Sequence, residues 1–247
     1  MTWTTRPRSE FGTLRAVREG TGPCVVLLHG VGLRAEAWGA QIDDLSRDFA
    51  VIAPDMAGGA ALADYVDPLA EALEQPAWVV GHSMGALMAL DLAIRFPAKV
   101  RGVVALNAIY RRSPEAAQAV QARAASLDGK TVPDPEPTLR RWFPDKASPE
   151  RTACEEWLRA ADPRTYRDAY TVFAHEDGPE ALPTLSCQAL FMTGAAEPNS
   201  TPAMSHAMTA AAPQGRAVII EGAAHMMPMT HATAVNAHLR TFFSQGA

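Results

Sequence analysis

The chain has 247 residues, 48% of them hydrophobic and 20% charged, and a formal net charge of −5 at neutral pH. This composition is typical of one soluble globular domain, and it excludes strong electrostatic binding to nucleic acid or to a membrane, because no basic stripe or polybasic arm is present. No apolar run approaches the roughly 20 residues of a membrane span, and residues 1–18 do not resemble a signal peptide. We therefore expect a cytoplasmic protein that acts on a small molecule, in an oligomeric state that the sequence leaves open.

Strand-length apolar runs alternate with helix-patterned segments along most of the chain. Residues 11–19 predict an opening strand or hairpin, and further strands are predicted at residues 24–28, 50–53, 78–80, 100–106, 188–192 and 217–220. Helices are predicted at residues 36–47, 62–73, 86–96, 202–211 and 230–243. Because strands that alternate with helices pair in parallel, the sequence predicts the α/β class, with a mostly parallel, doubly wound sheet covered on both faces.

The alternation stops between residues 111 and 185. Amphipathic pieces at residues 114–127, 138–143, 149–161 and 165–174 follow one another there without a strand between them. This pattern predicts a helical cap at residues 111–185, inserted into a core formed by residues 1–110 and 186–247 and placed above the carboxyl edge of the sheet. The aromatic residues of the cap either line a substrate pocket or attach the cap to the core, and the candidates for the pocket are Trp142, Tyr166, Tyr170 and Phe173.

A serine lies between two glycines at a predicted strand-to-helix turn, in the segment Gly81-His82-Ser83-Met84-Gly85. A serine on such a turn adopts a strained backbone conformation that exposes its hydroxyl above the sheet edge, and glycines allow the flanking chain to pack closely. The segment therefore predicts a nucleophile elbow with Ser83 as the nucleophile.

Three further motifs follow predicted strands. Glu197 and His225 lie downstream of the serine, and His29-Gly30-Val31-Gly32 lies upstream. Together with the elbow, these motifs resemble the α/β-hydrolase family, in which the catalytic residues occur in the order serine, acid, histidine along the chain. A looser resemblance, to small short-capped members such as 3-oxoadipate enol-lactonases, rests also on Asp162-Pro163 with Tyr166 and Tyr170, and on Gly222-Ala223-Ala224 before His225.

The resemblance implies an α/β-hydrolase fold with an inserted cap and a role for each matched residue. Ser83 is expected to be the nucleophile, His225 the base and Glu197 the acid that orients the base. The backbone amides of Val31 and Met84 are expected to form the oxyanion hole. No cofactor is expected, and no metal site either, because the histidines show no metal-ligand spacing.

Two sets of assignments stay open. The family usually supplies an aspartate as the acid, whereas this chain has Glu197; Asn107 occupies the rival position but cannot carry a charge, and Asp177 in the predicted cap is another alternative. Leu33 and Arg34 are expected to flank the pocket mouth. Arg34, Arg111 and Arg112 either bind a substrate carboxylate or are solvated.

The leading hypothesis is a serine hydrolase that cleaves a small carboxylic ester or lactone through an acyl-enzyme. One alternative is a hydrolase of carbon–carbon bonds with the same triad, although the glycine-proline-glycine-alanine extension expected of such enzymes is missing after His29-Gly30. The other alternative is a ligand-binding member of the family without catalytic activity. The sequence does not name the substrate, because specificity depends on how the cap packs over the pocket.

Overall fold

The computed structural model describes residues 3–56, 58–143 and 147–245. Within these ranges a single sheet has the strand order β1-β2-β4-β3-β5-β6-β7-β8, in which β1 and β2 form an antiparallel hairpin, β2 is antiparallel to β4, and all other neighbours are parallel. The predicted α/β class with a mostly parallel sheet is therefore confirmed. The strands are β1 (Ser9–Phe11), β2 (Leu14–Glu19), β3 (Cys24–Leu28), β4 (Ala50–Pro54), β5 (Ala77–His82), β6 (Val100–Leu106), β7 (Gln188–Gly194) and β8 (Gly215–Ile220).

Helices cover both faces of this sheet. The helices are α1 (Gly39–Leu45), α2 (Leu62–Ala72), α3 (Met84–Arg95), α4 (Pro114–Ala125), α5 (Glu136–Trp142), α6 (Pro149–Ala160), α7 (Pro163–His175), α8 (Pro202–Ala211), α9 (Met227–Thr230) and α10 (Ala232–Gln245). Alternate residues of the fully buried β3 enter two separate cores: Val25 and Leu27 pack with α1 and α10, whereas Val26 and Leu28 pack with α2 and α3. A strand that is buried on both faces explains why this run is continuously apolar.

The helices α4 to α7 lie between β6 and β7, in the interval for which the sequence predicts a cap. Three of them begin in the same way: the side chains of Ser113, Ser148 and Asp162 accept a hydrogen bond from the amide three residues later, and a proline follows at the first helical position. Both features stabilise a helix start, so the local sequence fixes where these helices begin. The division into a core and a cap domain stays a prediction.

Two predicted helices differ in detail from the observed ones. The helix predicted at residues 36–47 begins as a 3-10 turn, Ala35–Trp38, and the first amide of this turn donates to the carboxylate of Asp55 at 3.1 Å. The helix predicted at residues 230–243 corresponds to α10, which begins two residues later, after the separate short helix α9. In the described part of the chain, no helix combines the length and the apolar character that crossing a bilayer requires.

Candidate active site

Ser83 lies on the turn between β5 and α3. Its backbone angles, φ 57° and ψ −119°, are strained for a residue with a side chain. A Cβ atom on Gly81 would lie 1.9 Å from the carbonyl oxygen of Gly85, and one on Gly85 would lie 2.1 Å from the carbonyl oxygen of Leu28. Neither glycine can be replaced without moving the backbone, so these two residues are the local reason that the turn is this tight.

His225 lies in the loop between β8 and α9, and its backbone is held by two side chains from neighbouring strand ends. Its carbonyl oxygen accepts one hydrogen bond from Nε2 of His82 at 2.8 Å and another from Nδ2 of Asn107 at 2.6 Å. Burial, together with the nearby ring of His225, lowers the pKa of His82 well below its usual value, so His82 is a neutral donor. The sequence interpretation missed both supporting roles: it considered Asn107 only because this residue occupies the position of a rival acid.

Glu197 is the carboxylate that contacts His225. Its Oε2 lies 2.7 Å from Nδ1 of His225, and its Oε1 accepts the amides of Asn199 at 2.8 Å and Ser200 at 3.3 Å. Burial raises the pKa of this carboxyl group, but the imidazole of His225 and the two amides outweigh burial and hold the pKa below its usual value. An ionised Glu197 keeps the proton on Nδ1 and leaves Nε2 of His225 as the acceptor.

The loops that carry Glu197 and His225 are joined through their backbones. The amides of Ala195 and Ala196 donate to the carbonyl oxygens of Ile220 at 2.9 Å and of Ala223 at 2.8 Å. A Cβ atom on Gly194 would lie 2.2 Å from the carbonyl oxygen of Ala223, so this glycine permits the close approach. The longer side chain of a glutamate is thus placed against the imidazole by the contact between the loops. The alternative acid, Asp177, instead accepts the amide of Arg112 at 2.7 Å.

The loop after β3 passes directly against the serine. A Cβ atom on Gly30 would lie 3.1 Å from Cβ of Ser83. The neighbouring His29 braces this loop: its Nδ1 donates to the carbonyl oxygen of Gly30 at 2.9 Å, and its Nε2 accepts the amide of Met56 at 3.1 Å. Within the described residues, the amides of Val31 and Met84 donate no hydrogen bond to another group of the protein. Two unpaired amides beside a serine are what an oxyanion hole requires.

One cavity of about 340 Å³ contains Ser83, His225 and Val31 on its walls. Four of the six residues predicted for the pocket also line it, namely Trp142, Tyr166, Tyr170 and Phe173. The ring of Trp142 stacks on the imidazole of His225, with centroids 5.4 Å apart and planes 18° apart. The helices α5 and α7 therefore contribute the aromatic part of this cavity, opposite the sheet edge.

The other two residues predicted for the pocket, Leu33 and Arg34, are placed elsewhere. They line a separate depression with Trp157 and Ala161. An ion pair holds the guanidinium of Arg34 there: its Nε donates to the buried carboxylate of Glu36 at 2.8 Å. Contrary to the expectation, neither residue therefore lies on the wall of the cavity that contains Ser83, although Tyr166 lines both this cavity and the depression.

Three arginines line the cavity, and the sequence interpretation named only one of them. Arg112 was considered with its role open, whereas Arg123 and Arg141 were missed. Arg111 is not among the lining residues, and its guanidinium lies over the ring of Tyr110 at 4.9 Å. The only feature of the sequence that could have indicated Arg123 and Arg141 was the presence of a basic residue in each of two neighbouring segments predicted to be helical. Across the described ranges, no group of three His, Cys, Asp or Glu side chains is arranged to hold a metal ion.

Comparisons with known proteins show the family and the fold. The model of the alpha/beta hydrolase family matches residues 25–238. The chain is 35% identical over 242 residues to the (E)-2-((N-methylformamido)methylene)succinate hydrolase of Acinetobacter baylyi, and the match covers 91% of each chain. Its fold is similar to that of a malate-bound thermophilic esterase from Thermogutta terrifontis, with a TM-score of 0.84, 25% identity, and coverage of 98% of this chain and 99% of the esterase.

The enol-lactonase from Burkholderia xenovorans LB400 has the same fold, with a TM-score of 0.81 and 20% identity, and the match covers 96% of this chain and 100% of the lactonase. A family model that spans most of the chain and a relative that is similar over nearly its whole length point to the same group of enzymes. The chain belongs to the α/β-hydrolase family and is a hydrolase.

Proposed function

We propose that this protein is a serine hydrolase that cleaves an acyl bond (an ester, a lactone or an amide) in a small molecule through a covalent acyl-enzyme. The observation that carries this proposal is the contact of 2.7 Å between a buried carboxylate and Nδ1 of a histidine that shares its cavity with a strained serine. A serine hydroxyl is a weak nucleophile at neutral pH, and a base that is oriented by an acid overcomes this weakness.

In the proposed reaction, Oγ of Ser83 attacks the carbonyl carbon while Nε2 of His225 removes the hydroxyl proton. The carbonyl oxygen becomes an anion and accepts hydrogen bonds from the amides of Val31 and Met84. His225 then transfers its proton to the leaving alcohol or amine, which departs and leaves an ester on Ser83. A water molecule gives a proton to Nε2 and attacks this ester, and His225 returns the proton to Oγ as the acid product leaves. Glu197 stabilises the imidazolium in both halves of the reaction.

The relatives support acyl chemistry and indicate a substrate. The Thermogutta protein is named as an esterase, and the substrate in the name of the Acinetobacter relative carries a formamido group, which is an amide, on a succinate skeleton. We therefore propose that the substrate of this protein is also a small acyl derivative of a carboxylic acid. Cleavage of a carbon–carbon bond stays the alternative, because the same triad can activate water or serine toward a ketone.

The proposal is tested by the variant Ser83→Ala. We expect turnover of p-nitrophenyl acetate to fall by roughly 10⁴ to 10⁶, because removal of the nucleophile leaves only binding and oxyanion contributions. Labelling by a fluorophosphonate should vanish as well. The matched control is Ser244→Ala, at an exposed serine of α10, which should keep both activities.

Three results would contradict the proposal. Labelling that persists in Ser83→Ala would exclude this serine as the nucleophile. Ligand binding by the unaltered protein without an acyl-enzyme in mass spectrometry, and without hydrolysis of any ester, lactone or amide, would identify a binding protein. Cleavage of a ring-fission diketone in preference to all acyl substrates would identify a carbon–carbon hydrolase.

A further inference from the structure

Three guanidinium groups face the cavity that contains Ser83. Arg112 precedes α4, Arg123 lies on α4, and Arg141 lies on α5. Guanidinium groups stay charged at any pH at which a protein folds. No residue described on the cavity wall is an aspartate or a glutamate. The cavity wall therefore carries positive charge without a compensating carboxylate. The contacts of each arginine show which guanidinium groups lack an anionic partner.

Arg112 has structural partners. Its side chain is 5% exposed and donates to the carbonyl oxygens of Glu176 and, at 3.1 Å, of Phe173. The carboxylate of Asp177 lies 3.6 Å from Nη1, and the ring of Phe173 lies under the guanidinium at 4.7 Å. These contacts fix the segment before α4 to the end of α7. Arg112 is consequently neutralised and hydrogen-bonded without a ligand.

Arg123 and Arg141 have a different environment. Nη2 of Arg123 and Nη2 of Arg141 both donate to the hydroxyl oxygen of Thr138, at 2.9 Å and 3.3 Å. A hydroxyl group is neutral, so it brings two positive charges together without compensating either. Tyr170 lies under Arg123 at 5.3 Å, and this aromatic ring attracts the guanidinium only weakly.

Two observations indicate that this pair is incomplete without a ligand. Nε of Arg123 is buried and makes no hydrogen bond with any described group, which is costly for a charged donor. Burial, followed by repulsion from Arg123, lowers the pKa of Arg141. Glu197 attracts Arg141 from a distance, but its oxygens already accept bonds from His225 and from two backbone amides. An anion in the cavity would offset the repulsion between the two guanidinium groups, which share only the neutral hydroxyl of Thr138.

We propose that Arg123 and Arg141 form a carboxylate-binding subsite, and that the enzyme acts on acyl compounds that carry a carboxylate group in addition to the bond that is cleaved. The planar fork of a guanidinium matches a carboxylate with two parallel hydrogen bonds. The reacting carbonyl group lies at Ser83 on the sheet side, and the carboxylate lies at α4 and α5 on the helical side. This inference rests on the proposed function for the reacting end of the substrate, whereas the subsite itself does not depend on catalysis.

A matched pair of substrates tests the subsite. Methyl butyrate and methyl hydrogen succinate have the same acyl chain length and differ in a terminal methyl or carboxylate group. We expect the enzyme to prefer the succinate ester, and we expect Arg123→Gln and Arg141→Gln each to lower kcat/KM for this ester by about 10- to 100-fold, the range of a hydrogen bond to a charged group. Hydrolysis of methyl butyrate should change little. The preference should also weaken at high ionic strength.

Arg140→Gln is the matched control. Arg140 is next to Arg141 on α5, but its side chain is 77% exposed and pairs with Glu136 at 2.9 Å, and it does not line the cavity. This variant should keep the preference for the succinate ester. Arg141→Lys keeps the charge but not the planar fork of the guanidinium, so it should retain part of the preference for the succinate ester that Arg141→Gln loses. An equal loss for both esters in Arg123→Gln and Arg141→Gln, or a preference that survives in both, would overturn the subsite.

Binding to a protein without its nucleophile separates the two proposals. Calorimetry on Ser83→Ala should show that succinate binds more tightly than butyrate, and that Arg141→Gln in the same background removes the difference. Arginine-dependent binding of succinate by a protein that hydrolyses no acyl compound would support the subsite and contradict the proposed function. Ester hydrolysis with equal binding of succinate and butyrate would support the proposed function and contradict the subsite. Inorganic phosphate that binds more tightly than succinate would show that the subsite is built for another anion.

Discussion

The two sides of the cavity are built differently. On the sheet side, both oxygens of the Glu197 carboxylate and the carbonyl oxygen of His225 accept hydrogen bonds from donors of the protein. Glycines there allow neighbouring segments of the backbone to pack closely. On the helical side, Arg123 and Arg141 share one hydroxyl, and a buried nitrogen of Arg123 has no partner among the described residues. The side that we propose performs the reaction is complete in itself, whereas the side that we propose recognises the substrate is complete only with a ligand.

The largest effect of breaking the sheet side is expected at Glu197. Glu197→Gln keeps the size of the side chain but places an amide against Nδ1 of His225, which favours the wrong tautomer. We expect kcat for p-nitrophenyl acetate to fall by about 10³- to 10⁴-fold with little change in the fold, as in other triads that lose their acid. Retention of near-normal kcat in this variant would show that another carboxylate serves as the acid, and Asp177→Asn is the control for that outcome.

A buried carboxylate on the 3-10 turn after β3 also contributes to stability. Glu36, which is 1% exposed, accepts hydrogen bonds from the guanidinium of Arg8, the amide of Arg6 and Nε of Arg34. Burial raises the pKa of Glu36, but Arg8 and the amide of Arg6 outweigh burial and lower the pKa to about 2. A folded-state pKa below the unfolded value stabilises the protein above the unfolded pKa, and this stabilisation is lost as the pH falls toward 2.

We therefore expect Glu36→Gln to lower the free energy of unfolding by roughly 3 kcal/mol at neutral pH. The difference from the unaltered protein should shrink as the pH falls below the range in which unfolded glutamates titrate. Urea unfolding at several pH values measures both effects. Asp43→Asn is the control: Asp43 pairs with Arg6 but is 55% exposed, and its loss should cost less than about 1 kcal/mol. A pH-independent difference would show that the carboxylate charge of Glu36 does not provide the stability.

The active-site residues that the sequence predicted are those whose placement depends on local chain geometry. Ser83 lies between two glycines, and a side chain at either glycine would clash with the backbone. Glu197 and His225 each follow a short strand that contains an apolar run. Parallel strands end at one edge of a sheet, so residues after neighbouring strands meet there. The serine, the acid and the histidine could therefore be named together before any coordinates were known.

The residues that the sequence missed depend on contacts between distant segments. Arg123 and Arg141 lie on two helices whose relative placement is not encoded in either helix, and they meet only at Thr138. Arg34, which was expected at the pocket, is placed by a contact of the same kind. It pairs with Glu36, and the buried carboxylate of Glu36 also pairs with Arg8 from the start of the chain. Periodicity and motif spacing carry no information about such pairings, because they arise from the packing of elements rather than from the elements themselves.

Trp142 joins the two sides of the cavity, and changing it gives the smallest expected effect. Its ring, on α5, stacks on the imidazole of His225. This imidazole becomes positively charged during the proposed reaction, and a cation over an aromatic face gains about 0.5 to 2 kcal/mol. Trp142→Leu should therefore lower kcat for p-nitrophenyl acetate by roughly 2- to 30-fold, with a smaller change in KM, since the charge exists only after proton transfer. Trp142→Phe keeps an aromatic face and should retain most of the rate. If phenylalanine and leucine reduced kcat equally, the ring would act by shape and not by its interaction with the charged imidazole, and the helical side would contribute to recognition alone.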